Sequence, residues 1–376
     1  MTHSPRPVAL YTYDLDGGGA EKYTVQLANG LIKKKCPVDL LVQTGLDKSP
    51  YLGDIHPSVR QIEINTQSPF KAVRFLYAYF KNQKPRVLFG VQQKPSLVAI
   101  VAAFFAGYRN VVPTMHIHMH SYTTVDHRLR RNVLRLLVAF FYRLVRLSVA
   151  VSTDAGAAMQ DWVGRKAKIR VIPNGFDLDE LRQRVAEPVD FPWLACKELP
   201  VFIGCGRLVP QKGFDVLIEA FARLRTTEPA RLIILGEGEL RDDLNKQVAR
   251  LGIEGDVAMP GFVTNPLAWF ARSDAFVLSS RTEGFGIVLV EALLSGTQIV
   301  STDCPSGPTE ILRNGAYGQL VPVDDVPAMA EAMKKVIKDK QDRTVLSSEI
   351  RSYIDEHYSL DGMVEAYLSI VEELSP

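Results

Sequence analysis

Paired cysteines, a long hydrophobic run and a leader segment are all missing from this 376-residue chain. Its four cysteines (Cys36, Cys196, Cys205, Cys304) form no C-x-x-C pair, so neither a zinc site nor a disulfide framework is indicated, and reduced thiols in the cytoplasm are expected. The start MTHSPRPVAL lacks the basic-then-apolar order of a signal peptide. The longest uncharged apolar stretch, Leu97 to Ala106, is half of the ~20 residues that span a bilayer. Glycine and proline, at 26 and 22 residues, are too few for collagen-like or low-complexity chains. With 47% apolar and 23% charged residues the composition suits packed cores, and the length suits two domains.

The net charge of +2 conceals an asymmetry. Residues 1–190 carry 26 Lys and Arg against 15 Asp and Glu, and residues 191–376 carry 18 against 27. A basic half joined to an acidic half points to an anionic partner for the first.

Short β-branched runs alternate with amphipathic stretches, the pattern of parallel sheets covered by helices on both faces. The first half predicts strands near Val8–Asp14, Val38–Thr44, Arg86–Val91, Val111–His116, Ser148–Ser152 and Ile169–Ile172. The second half predicts them near Val201–Gly206, Arg231–Gly236, Val257–Met259, Ala275–Ser279, Gln298–Thr302 and Gln319–Val321. The proline-rich segment Pro188 to Pro200 reads as an interdomain linker. Each half opens with a strand, a glycine-containing loop and a helix, so an active site is expected at the strands' carboxyl ends, in a cleft between two Rossmann-like αβα domains. The expected domains are 1–185 and 186–355, with residues 356–376 forming a helix that packs back onto the first.

Three segments carry chemistry. Gly17-Gly18-Gly19 removes Cβ atoms ahead of a helix N-terminus, which lets backbone approach a phosphate; it is equally an ordinary turn, and it does not match G-x-G-x-x-G. In GRLVPQKG, Arg207 and Lys212 place two cations beside a helix start, suited to a diphosphate. In EGFGIVLVE, Glu283 and Glu291 flank a flexible Gly-Phe-Gly turn. Glu291 sits among apolar neighbours, where a carboxylate needs a partner such as vicinal hydroxyls or an arginine.

Together with IPNGFD (Ile172 to Asp177), LGEGELR (Leu235 to Arg241) and PGFV (Pro260 to Val263), these segments resemble the retaining glycosyltransferases of family 4, whose fold is GT-B. The resemblance spans nearly the whole chain. It implies transfer of a hexose from a nucleotide diphosphate sugar, UDP-linked, to a hydroxyl of a glycan or lipid-linked glycan acceptor in surface polysaccharide synthesis. It implies that Arg207 and Lys212 hold the diphosphate, that Glu283 meets sugar hydroxyls and Glu291 the ribose, and that Phe285, Gly286 and Ile287 offer amides to the donor. Gly18 and Gly19 would close over the diphosphate, Gly206, Gly236 and Val263 would line the donor site, and His116 would point at the donor sugar. No metal or other cofactor is implied. His116, His118 and His120 alternate on one strand face and could instead hold a metal, and two D-x-D triplets (Asp14 to Asp16, Asp177 to Asp179) are treated as motif flanks. Rival readings are a sugar epimerase, a phosphorylase, or an inactive binding partner.

From Arg128 to Arg146 the sequence reads as a helix with Arg128, Arg131, Arg135, Arg143 and Arg146 on one side and Leu134, Leu137, Phe141 and Leu144 on the other. Phe70 to Lys84 adds a second aromatic and basic stretch. Such a face suits an anionic membrane surface, with the protein peripheral at the inner face of the cytoplasmic membrane; the alternative is a packed helix with a solvated side. Nucleic acid is not expected, since no recognition motif accompanies the charge.

Overall fold

The computed structural model describes residues 6–16, 19–115, 136–164, 167–196, 198–339 and 343–375, the side chains of 343–347 excepted. The chain divides into two compact units, Met1–Phe176 with His357–Pro376, and Asp177–Glu356.

The first unit holds a seven-stranded parallel sheet in the order β3-β2-β1-β4-β5-β6-β7. Its strands are β1 (Val8–Thr12), β2 (Val38–Val42), β3 (Arg60–Glu63), β4 (Leu88–Val91), β5 (Val111–Met115), β6 (Ser148–Ala150) and β7 (Ile169–Val171). Side-chain alternation sends Val8 and Leu10 into one core and Ala9 and Tyr11 into another, one on each face. Both faces are therefore buried, as a sheet of parallel crossovers requires. The second unit holds a six-stranded parallel sheet in the order β10-β9-β8-β11-β12-β13. These are β8 (Val201–Cys205), β9 (Arg231–Leu235), β10 (Val257–Gly261), β11 (Ala275–Leu278), β12 (Gln298–Thr302) and β13 (Gln319–Val321).

The structure adds one strand to those expected, β3, with the sequence RQIE and three exposed positions out of four. An edge strand with one apolar residue leaves no hydrophobic run to read. Polar contacts hold it: Asp39, the second residue of β2 and 2% exposed, accepts from Arg60 Nε at 2.8 Å and from the Tyr79 hydroxyl at 2.6 Å.

The chain leaves the first unit at Phe176, nine residues before the expected boundary. Phe176 bridges to Ser359, while the helix Leu178–Val185 belongs to the second unit, where Asn265 Nδ2 donates to Arg184 O at 2.8 Å. The segment expected as a linker is built into the second unit as well: Phe191 lies 5.2 Å from the Trp269 ring, and Arg231 lies 4.7 Å over Trp193. The terminal helix Leu360–Leu374 packs in the first unit. Its Tyr367 meets Tyr23 and Phe89 edge-on, and Val364 lies where a Cβ at Gly30 would sit.

Only the end of the segment from Arg128 to Arg146 lies among the described residues. Residues 136–142 are helical, and Val138 and Tyr142 enter the core, whereas Leu137 and Leu144 are exposed by 43% and 46%. Arg143 is partly structural: its Nε donates to Val163 O at 3.0 Å, at the end of the helix Thr153–Val163. Arg128, Arg131 and Arg135 lie outside the described residues. No helix among the described residues is long and apolar enough to cross a membrane.

Candidate active site

In the second sheet the strand order reverses between β8 and β11, and ligands of such sheets bind beyond the carboxyl ends of the strands at that point. The loop after β8 carries Gly206 and Arg207, passes through a single turn Pro210–Lys212, and enters the helix Phe214–Arg225 at Gly213. Gly213 has φ +62°, and a Cβ there would stand 2.2 Å from Ser279 O. Glycine thus lets this loop press against the loop that follows β11. The two loops are then stitched: Ser279 Oγ donates to Lys212 O at 2.9 Å, Gln211 Nε2 to Thr282 O at 2.8 Å, and Arg281 N to Gln211 O at 2.8 Å.

This stitching brings Lys212 onto Glu283. Lys212 Nζ donates to Glu283 Oε1 at 2.7 Å, and Ser280 Oγ donates to the same oxygen at 2.6 Å. The side chains are 16% and 7% exposed, so the pair is largely shielded. The stem of Lys212 runs beside Gly206, where an added Cβ would stand 3.4 Å from its Cδ. Arg207, by contrast, is exposed and has no side-chain bond to another described residue. One cation is anchored with two ammonium protons left over, and the other is open to an incoming anion.

Glu291, 7% exposed, lies in the helix Ile287–Leu294. Burial pushes the Cys205 thiol up to about 12; the Glu291 carboxylate raises it further and Lys212 opposes. Cys304 is likewise pushed to about 12, by burial and then by the charge of Glu283. Each carboxylate of the E-x7-E element thus has a thiol beside it, half-buried Cys205 at the end of β8 and buried Cys304 after β12. Phe285 is 4% exposed, Gly286 is buried, and Ile287 is half-buried at the helix start. Gly236, with φ +129°, lies against Gly206, whose carbonyl oxygen would stand 2.0 Å from a Cβ there. Val263 is half-buried after β10, beside Phe262 at 75% exposure.

Most residues read from the sequence therefore gather beyond the carboxyl ends of the strands of one sheet. Gly19 begins the helix Gly19–Lys33 in the first unit, and Gly18 and His116 lie outside the described residues. Ser280, Gln211, Cys205 and Cys304 were missed: a serine, a glutamine and two isolated cysteines carry no spacing signal. Among the described residues no cluster of three or more His, Cys, Asp or Glu could hold a metal ion; His116, His118 and His120 fall outside them. In the second D-x-D, Asp177 caps its helix by accepting from Glu180 N at 3.2 Å, and Asp179 pairs with Arg182 at 3.1 Å. In the first, burial and the charge of Asp16 raise the Asp14 carboxyl.

The model of the glycosyl transferases group 1 matches residues 188–353, and that of glycosyltransferase family 4 matches residues 17–180. The chain belongs to family 4 of the glycosyltransferases. A Campylobacter jejuni relative is 27% identical over 360 residues, covering 92% of this chain and 94% of its own; it is an N-acetylgalactosamine-N,N'-diacetylbacillosaminyl-diphospho-undecaprenol 4-alpha-N-acetylgalactosaminyltransferase. A lipopolysaccharide core biosynthesis glycosyltransferase of Rhizobium meliloti is 34% identical over 209 residues, covering 56% of this chain and 59% of its own. Among solved structures, Anabaena HepE in complex with UDP superposes with a TM-score of 0.82 at 21% identity, covering 98% of this chain and 100% of that one. The glycosyltransferase fold is therefore GT-B, with both parallel sheets as expected from the sequence.

Proposed function

We propose that this glycosyltransferase moves a hexose from a UDP-linked donor to a hydroxyl of a lipid-linked glycan acceptor in surface polysaccharide synthesis, keeping the α configuration and using no metal. The observation that carries the reading is the arrangement at the β8 and β11 ends: an exposed Arg207 in the same loop as a Lys212 already oriented by Glu283. The activities of the two relatives, on a diphospho-undecaprenol glycan and in lipopolysaccharide core synthesis, support the acceptor class.

Arg207 would present its guanidinium fork to the diphosphate, and Lys212 its two unshared protons. Glu283, an acceptor only when ionised, would take hydrogen bonds from donor-sugar hydroxyls, and Glu291 from the ribose. In the same-face reaction the bond from the anomeric carbon to the diphosphate oxygen breaks as the acceptor oxygen attacks. The leaving phosphate oxygen receives the acceptor's proton, and the two cations stabilise its growing charge. Arg146, with Arg128, Arg131 and Arg135, would add attraction to an anionic leaflet.

The test is incubation with UDP-sugars and a lipid-linked acceptor, with the product anomer assigned by NMR. An α-linked product, with UDP released only when acceptor is present, supports the reading. A changed sugar without acceptor indicates an epimerase, and no turnover with any donor indicates an inactive binding partner.

A further inference from the structure

The longest apolar stretch of the sequence is not wholly buried. It lies in the helix Gln93–Ala106, which is apolar on every side. Such a helix belongs inside a protein or against a lipid phase. Ala99, Ala102 and Ala103 enter the core, but Phe104 and Phe105 on the opposite side are 56% and 66% exposed, and their rings touch edge-on at 5.5 Å.

The neighbouring helix Pro69–Gln83 joins the same core through Leu76, Tyr79 and Phe80, so the two helices lie side by side on one face of the sheet. Its outward stripe, at intervals of three and four residues, reads Phe70, Arg74, Tyr77, Lys81, with Phe70 87% and Tyr77 41% exposed. Lys81 Nζ lies 5.9 Å over the Tyr77 ring. Most of the large apolar side chains that the described residues leave exposed fall on these two helices and on residues 136–144, which join the same core through Val138 and Tyr142. The charge is one-sided. From Ile64 to Thr153 the sequence has 13 Lys and Arg and one acid, Asp126.

We propose that the outward face of helices Pro69–Gln83 and Gln93–Ala106 is an interfacial docking surface for an anionic lipid bilayer. Phe104 and Phe105 enter the acyl boundary, and Arg74, Lys81 and Lys94 meet the headgroups. Aromatic residues interleaved with cations, in helices too short to span, fit a surface that lies in the headgroup plane. A second copy of the chain fits less well, because it would bring an equally cationic face against this one. The surface deepens the attraction to an anionic leaflet proposed above for the arginines before Arg146 and adds the apolar insertion that they lack; it does not depend on which donor or acceptor the enzyme uses.

The experiment is co-sedimentation of the full chain with vesicles of phosphatidylcholine alone and of phosphatidylcholine mixed with phosphatidylglycerol. The wild type should bind the mixed vesicles. Phe104→Ser with Phe105→Ser should lower the binding constant by about tenfold or more at any salt. Arg74→Gln with Lys81→Gln should lower it mainly at low salt, where screening is weak. A Phe105→Trp variant keeps the test independent of folding losses: its added fluorescence should be quenched by brominated lipid. An indole in that variant that brominated lipid leaves unquenched, or a double serine variant that binds as the wild type does, overturns the proposal. So does a dimer that the serine variant dissolves while vesicles are ignored.

Discussion

Lys212 Nζ and Glu283 Oε1 stand 2.7 Å apart although 71 residues separate them in sequence. This ion pair joins the loop after β8 to the loop after β11. It also makes the two candidate diphosphate cations unequal, and the consequences can be measured.

Lys212→Met leaves the Glu283 carboxylate buried with Ser280 as its hydrogen-bond donor. The expected cost is about 1–3 kcal/mol of stability, together with a loss of turnover. Urea denaturation alongside the transfer assay separates the two. The variant Lys212→Met with Glu283→Gln should recover much of the stability and none of the activity. A double variant as unstable as the single one would show that the pair is not the source of the cost.

The thiols beside the carboxylates give a pH signature. Cys205 and Cys304 hold their protons in the folded state up to about 12, against an ordinary value of 9.0. Below the ordinary value their contribution to stability is complete. As pH rises above it, the unfolded chain releases protons that the folded chain keeps, so stability falls toward pH 12. At a pH near the ordinary thiol value, alkylation followed by peptide mapping should modify exposed Cys196 well before Cys205 or Cys304. Equal rates at all three would contradict the burial of the site.

If Arg207 and Lys212 hold the diphosphate as proposed, enzyme stripped of metal and assayed in EDTA should turn over as before, because protein cations would take the place of a metal. Complete loss, restored by manganese or magnesium, would move the chemistry to the histidines at 116, 118 and 120 or to a D-x-D.

At the sheet edge, Arg60→Met should destabilise by about 1–3 kcal/mol, since it leaves buried Asp39 with the Tyr79 hydroxyl alone. Adding Asp39→Leu should restore most of it, as apolar replacements of buried ion pairs commonly do. Denaturation midpoints of the single and double variants check this.

That edge also shows where sequence reading runs out. Buried parallel strands are written as apolar runs, so β8, β9, β11 and β12 can be read directly, and the Gly-Arg, Lys and E-x7-E elements mark the candidate site. The strand Arg60–Glu63 depends on an arginine reaching a carboxylate in another strand, a pairing that only the fold creates. Ser280 is invisible for the same reason: its role comes from the Glu283 oxygen it meets. The segment Pro188 to Pro200 misled because prolines mark a broken helix equally well in a linker and in a packed loop. Only the contacts of Phe191 and Trp193 place it in the second unit. The arginine periodicity before Arg146 does not say which residues pack: Val138 and Tyr142 reach the core, while Leu137 and Leu144 stay exposed.

The most direct test of donor binding at the β8 and β11 ends is the acceptor-dependent rate of UDP release by Arg207→Ala. Arg207 is exposed and bonds to no described side chain, so its removal should leave the thermal midpoint unchanged while turnover falls by ~10²–10³. Wild-type turnover in a folded Arg207→Ala variant would contradict the assignment.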